Sequence, residues 1–210
     1  MENLKSRYKK HLIAFLVANV AVYAAMSVGG EIADIQKTVD ALMSEKGLFI
    51  ALSPIIILVA NGLVSADWKA RLIFWKYSNP LPGSEAFSKH INNDPRIDVD
   101  FLQKHWGALP SDPAEQNRLW YKMYRSVEAD VRVHEAHYDW LFTRDLAAFA
   151  VVFLLVFSVI GFLSISNQTT YLYYFMALIA QYLLVVISSR TYGKRFVSSV
   201  LACASQGLNQ

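Results

Sequence analysis

The stretch LAAFAVVFLLVFSVIGFL, residues 146–163, decides what kind of protein this is: 18 residues pass without an Asp, Glu, Lys or Arg. Roughly 17 to 25 predominantly apolar residues are enough for a helix to cross the hydrocarbon core of a bilayer. Three further windows of 17 residues share the property, Leu12–Val28, Leu48–Val64 and Tyr171–Ile187. With 54% of its 210 residues hydrophobic and only 18% charged, the chain has too little polar surface for an ordinary soluble domain. The windows therefore predict an all-α integral membrane protein with four transmembrane helices, about 12–28, 48–64, 146–163 and 171–187.

The cationic residues orient these spans. Lys5, Arg7, Lys9 and Lys10 precede the first, eleven Lys or Arg lie in 65–144, and Arg190, Lys194 and Arg195 follow the fourth. Only Lys37 and Lys46 are left for the opposite side, and eighteen against two is the asymmetry that places the N-terminus, residues 65–144 and the C-terminus in the cytoplasm. A basic start followed by an apolar run also describes a secretory signal. No clear Ala-x-Ala site follows this run, and losing it would reverse the charge pattern of the rest, so retention of the first span is expected. The single cysteine, Cys203, excludes a framework of internal disulfides.

Four segments result: a transmembrane hairpin over 1–64, a cytoplasmic helical domain over 65–144 inserted between the second and third spans, a second hairpin over 145–189, and a tail over 190–210. Between spans one and two, Ile32, Ile35, Val39 and Leu42 recur at helical spacing and predict an external amphipathic helix over 31–46. Its apolar stripe has the bilayer surface, the tops of the spans or an external ligand as possible cover. Asn19, Asn61 and Gln181 are the amides inside the spans, suited to hydrogen bonds across helices, while Ala147, Ala148 and Ala150 offer a small face for close packing. Pro54 loosens the second span. Tyr171, Tyr173 and Tyr174 form an aromatic belt at the outer interface.

All five tryptophans fall in 65–144, a concentration expected of a segment that folds. Asp67 can cap a helix running to about Tyr77, with Trp68, Leu72 and Trp75 on one face near the inner headgroups. Asn79-Pro80-Leu81-Pro82-Gly83 breaks the chain, a short apolar element occupies 86–91, and Asn92-Asn93-Asp94-Pro95 breaks it again. Asp98 starts a helix that ends near Gly107. Asp112-Pro113-Ala114-Glu115 is the clearest helix start, with a cap residue and Pro in the first turn. Trp120, Tyr124, Val127, Val131, His134, Tyr138 and Leu141 then recur at spacings of four and three with no Gly or Pro, so one continuous helix is expected from about 113 to 163, leading into the third span. Its stripe packs either on its own domain or on another subunit. Phe196, Val197, Val200 and Leu201 give the tail a small apolar face for an interfacial or packing helix.

Catalytic motifs are absent: no Walker loop, glycine-rich dinucleotide turn, Gly-x-Ser-x-Gly elbow or Cys-x-x-Cys occurs. His134-Glu135-Ala136-His137 lacks the zincin spacing, and no metal or cofactor is expected. The spans carry no ionisable residue, which argues against ion-coupled carriers and voltage sensors. A ligand or partner site is expected where guanidinium groups interleave with aromatic rings, at Trp75, Arg96, Trp106, Arg118, Trp120, Tyr124 and Arg125. Eleven acidic residues neutralise the eleven cations of 65–144, so no direct contact with nucleic acid is expected.

In architecture the chain resembles the small four-span components of bacterial anti-phage systems. That resemblance implies a role in anti-phage defence, while the charge-free spans and the long helix lead to the expectation of a non-enzymatic oligomeric sensor or effector of the inner membrane, in contact with lipid, whose cytoplasmic domain binds a partner protein or small signal and couples it to the membrane bundle. Two other classes stay open on the sequence: an enzyme acting on a lipid-linked substrate through His90, His105, His134 or the Asp94–Asp100 carboxylates, and a scaffold recruiting a cytoplasmic protein.

Overall fold

The computed structural model describes residues 4–27, 62–92 and 94–207. Along the chain these form α1 (Leu4–Ser27), α2 (Ala66–Phe74), a 3-10 turn (Pro82–Glu85), a π-helical turn (Ala86–His90), α3 (Val99–Trp106), α4 (Pro113–Val127), α5 (Val131–Val152), a second π turn (Phe153–Phe157), α6 (Ser158–Ser164) and α7 (Gln168–Ser205). No strand occurs among the described residues. Three described stretches are long and apolar enough to cross a membrane, Tyr8–Ser27, Val131–Ser164 and Gln168–Ser205, with mean hydropathies of 1.4, 2.9 and 1.8. They mark a helical membrane protein. The expected external helix over 31–46 and almost all of the span expected over 48–64, with Pro54 and Asn61, lie outside the described residues.

Packing divides the chain into two units, Met1–Ser65 with Asp145–Val185, and Ala66–Arg144 with Val186–Gln210. In the first, α1 turns Tyr8, Leu12, Leu16, Val20 and Tyr23 inward at the spacing of one helical face. Each end of that face carries a hydrogen bond. Tyr8 Oη donates to Asp145 Oδ2 at 3.1 Å, and Tyr23 Oη shares a 2.9 Å bond with Ser164 Oγ. Between them the Phe15 ring meets Phe153 edge to face at 6.2 Å, and Tyr23 meets Phe157 at 5.4 Å. The π turn contains both partner rings and keeps both buried. The expected small face is buried too, with Ala147, Ala148 and Ala150 each under 8% exposed. Leu155, Phe162, Leu163, Leu172 and Leu184 instead point outward and are more than half exposed, an apolar exterior that lipid covers at no cost.

The second unit is punctuated by short polar side chains. Asp98 accepts from Phe101 N at 2.9 Å and starts α3, which stops at Gly107 with φ of 82°. Asp112 accepts from Ala114 N and Glu115 N, both at 3.0 Å, and starts α4. Gln116 is buried in α4 and holds the π turn in place. Its Oε1 accepts from Phe87 N at 3.0 Å and Ser88 N at 3.1 Å, and its Nε2 donates to Ser111 O at 2.9 Å. Gly83 lies flat against Trp120, where a Cβ would stand 2.5 Å from the indole.

Two sequence expectations are corrected here. The continuous helix over 113–163 does not form: α4 ends at Val127, and α5 begins at Val131 after a turn closed by Asp130 N donating to Val127 O at 3.0 Å. Asp130 makes the break, because its Oδ1 accepts from Arg132 N at 2.8 Å and its carboxylate is clasped by the Arg132 guanidinium. The helix leading into the third span therefore starts at 131. The helix expected to reach Tyr77 stops at Phe74, since Trp75 takes φ of 56°, and the buried face of α2 is Lys69, Ala70 and Ile73. The tail is the packing helix of the two alternatives expected: residues 190–205 continue α7, and Phe196, Val197, Val200 and Leu201 belong to the core of the second unit.

Replacing Gln116 with Ala strands two backbone amides, and an unsatisfied buried donor costs about 1–3 kcal/mol. Gln116→Ala is expected to lower the thermal midpoint of the detergent-solubilised chain and to speed hydrogen exchange at Phe87 and Ser88. Gly83→Ala is expected to cost about 1–3 kcal/mol by overpacking. Unchanged midpoints in both variants would contradict the packing of α4 on the 82–90 segment.

Candidate functional site

Arg190 of α7 fixes the chain as it leaves α2. Its Nε donates to Ile73 O at 2.6 Å, and its guanidinium lies 4.1 Å from the ring centroid of the left-handed Trp75. Beyond Trp75 the chain turns at Asn79, φ 47°, and Ser84 Oγ ties the turn by donating to Asn79 O or Leu81 O, each 2.7 Å away. Pro82 opens the 3-10 turn, which delivers Glu85 between two lysines: Lys76 Nζ stands 2.5 Å and Lys89 Nζ 2.6 Å from Glu85 Oε1.

The result is a cleft of about 180 Å³ whose charged and titratable lining is Lys76, Glu85, Lys89, His90, Arg190 and Lys194. Four cations face one carboxylate. Lys194 makes no ion pair among the described residues. Burial pushes the Glu85 carboxyl up, but the hydrogen bonds and charges of Lys76 and Lys89 outweigh it and hold the group below its ordinary range. His90 is lowered, first by burial and then by Lys194, Lys89 and Lys76, with Glu85 opposing, so its imidazole is held neutral. Such a lining can receive an anion.

A second cavity, about 280 Å³, is lined by Phe101, His105, Trp106, Ser126 and Val127 with Ala204 and Gly207. Phe101 and His105 stack at 5.7 Å, and the buried Trp106 Nε1 finds no acceptor among the described residues.

The residues expected from sequence to form a site are distributed. Trp75 covers Arg190, and Trp106 lines the second cavity. Trp120 and Tyr124 are brought together, stacked at 6.1 Å, but as core: Trp120 meets Phe196 edge-on at 5.2 Å, and Tyr124 Oη shares a 3.0 Å bond with His137 Nδ1. Burial raises the Tyr124 phenol. Arg96 grips Asp94 through Nε at 2.9 Å and Nη2 at 2.6 Å, which holds that carboxyl low, and Arg125 pairs with Glu128 at 2.7 Å. Arg118 is exposed. Within the spans, Asn19 Nδ2 donates to Phe15 O in its own helix at 2.9 Å, and the buried Gln181 Nε2 lacks an acceptor among the described residues. No three His, Cys, Asp or Glu side chains converge on a metal position among the described residues. Sequence reasoning had not gathered the basic cleft. Its signals were the Pro80–Gly83 turn followed by Glu85 and Lys89 four apart, and Arg190 and Lys194 four apart on α7, each an i,i+4 pair.

Both lowered groups make the fold sensitive to acid in the same direction. A depressed folded pKa gives stability that is complete above the unfolded value, about 6.5 for His and 4.3 for Glu, and is lost as pH falls through the folded value. The thermal midpoint is expected to fall on acidification below about pH 6.5, and His90→Gln to reduce the upper part of that dependence, the remainder coming from His137, which burial lowers to about 4. A midpoint flat from neutrality to pH 4 would contradict the buried neutral imidazole. Comparison of the chain with protein-family models, with curated proteins and with solved structures finds no match.

Proposed function

We propose that the chain is a non-enzymatic, oligomeric four-span protein of the cytoplasmic membrane, a sensor or effector with both termini and the second unit on the cytoplasmic side. The fourth crossing is the apolar window Leu48–Val64, and the orientation follows from the Lys and Arg asymmetry. One observation carries the functional part. His137 of α5 and Phe196 of α7 stack at 4.7 Å and 9°, and Trp120 and Tyr124 of α4 close on the same Phe196 ring. Two of the three helices that supply this aromatic core, α5 and α7, also carry apolar spans. A partner or small signal that shifts α4 therefore acts on the aqueous ends of two membrane helices, with no linker to absorb the movement.

Spans without ionisable side chains favour rearrangement over carrier chemistry. In the effector form several subunits would open a path together, as the likeness to four-span anti-phage components implies. The enzyme alternative has less support, because two of the three carboxylates it draws on are engaged: Asp94 by Arg96 and Asp98 at the start of α3.

Coupling is measured with a nitroxide on Leu183→Cys in the chain reconstituted into liposomes. Trp120→Ala and Phe196→Ala are each expected to change the label's mobility or its access to water, whereas Asp98→Asn and His105→Ala leave both alone. A label blind to Trp120→Ala and Phe196→Ala in folded protein would defeat the coupling. Planar-bilayer currents that stay silent with every candidate ligand would defeat the pore-forming effector.

A further inference from the structure

We infer that the cleft between the Trp75–His90 segment and the Arg190–Lys194 turn of α7 holds the phosphate of an anionic phospholipid headgroup. The inference deepens the proposed function, because it rests on the second unit lying against the cytoplasmic face of the membrane.

Charge is the first reason. Lys76, Lys89, Arg190 and Lys194 outnumber Glu85, whose Oε1 is already shared by Lys76 and Lys89, so the cleft keeps an excess of positive charge with Lys194 unengaged by any described carboxylate. A phosphate oxygen is the acceptor that such ammonium and guanidinium donors satisfy best. Size is the second. Pockets that bury drug-sized ligands measure roughly 300–1,000 Å³. The cleft, at about 180 Å³, suits a single phosphate with its ester oxygens and is too small for a nucleotide.

Position decides the source of the phosphate. Arg190 follows Ile187, the last residue of the fourth apolar window, by three residues of unbroken helix, a rise of about 4.5 Å. That depth is where headgroup phosphates lie when the window fills the hydrocarbon. Beside the cleft, Trp68, Trp75 and Tyr77 are 57%, 61% and 85% exposed, and Arg71 spreads its guanidinium 4.7 Å from the Trp68 ring centroid and 5.3 Å from that of Tyr77. Indole and phenol rings interleaved with arginine are suited to the membrane interface, where one end is apolar and the other wet. A soluble phosphorylated compound would use the cations and gain nothing from these rings.

The test is native mass spectrometry of the full detergent-solubilised chain titrated with phosphatidylglycerol or with phosphatidylcholine of the same acyl chains. Wild type is expected to retain phosphatidylglycerol about tenfold more tightly, because phosphatidylcholine brings the same phosphate together with a quaternary ammonium that the four cations of the cleft repel. Lys194→Ala and Lys194→Glu are expected to abolish the preference, while Arg195→Glu, whose guanidinium faces Tyr192 outside the cleft, keeps it. Lys194 is exposed, so its variants fold. Equal retention of both lipids, or equal loss with Arg195→Glu, overturns the inference, as does glycerol phosphate displacing the lipid at equimolar concentration. Thiol labelling of residues in 66–144 in intact cells separates the two failures. Access from outside defeats the proposed orientation, whereas protection combined with an unaltered lipid preference in Lys194→Glu defeats the headgroup site alone.

Discussion

A helix longer than the membrane is thick must change solvents along its length, and α7 does so. Its 38 residues rise about 57 Å, close to twice the roughly 30 Å of a hydrocarbon core. Over its first half and just beyond, Leu172, Met176, Leu184 and Ile187 are more than half exposed, an arrangement that suits lipid. Over its second half Phe196, Val197, Val200 and Leu201 are among the most deeply buried side chains of the second unit. One uninterrupted helix thus contributes to both units.

The cost of this arrangement falls on the residues where the change occurs. Ser188, Ser189 and Arg190 follow the apolar window, and two hydrogen bonds there end on backbone: Ser189 Oγ donates to Thr143 O at 2.7 Å and Arg190 Nε to Ile73 O. Ile73 lies at the end of α2, where carbonyls lack intrahelical partners, and Thr143, inside α5, offers its second lone pair, so neither bond imports a counter-charge. Gly193 follows because Phe74 and Trp140 crowd α7 at that point, with a Cβ position only 3.0 to 3.1 Å from both rings. Small, hydroxylated and cationic residues within six positions therefore mark the passage from lipid to protein cover.

Much of this was legible in the sequence. The charge-free windows gave the three described apolar helices, and Asp98, Asp112 and Gly107 gave helix ends that the structure places where short-range hydrogen bonding requires them. The break at residues 128–130 was illegible because no Gly or Pro marks it; Asp130 ends one helix and starts the next through its own side chain, a competition that periodicity does not register. The end of α2 was misplaced for a related reason, since Trp75 is held in a left-handed conformation by an arginine 115 positions away. The basic cleft was missed because its two halves come from opposite ends of the second unit's sequence. Trp120 and Tyr124 were recognised as important, and their role as core was hidden until Phe196 could be placed beside them.

The passage of α7 through the bilayer is tested most directly by single-cysteine labelling in a Cys203→Ser background with a membrane-impermeant maleimide. Ser166→Cys, in the short connection before α7, should react in intact cells, and Arg195→Cys only after the membrane is permeabilised. Reaction of both from the same side would mean that α7 does not cross, and would leave its outward Leu and Ile side chains without a solvent.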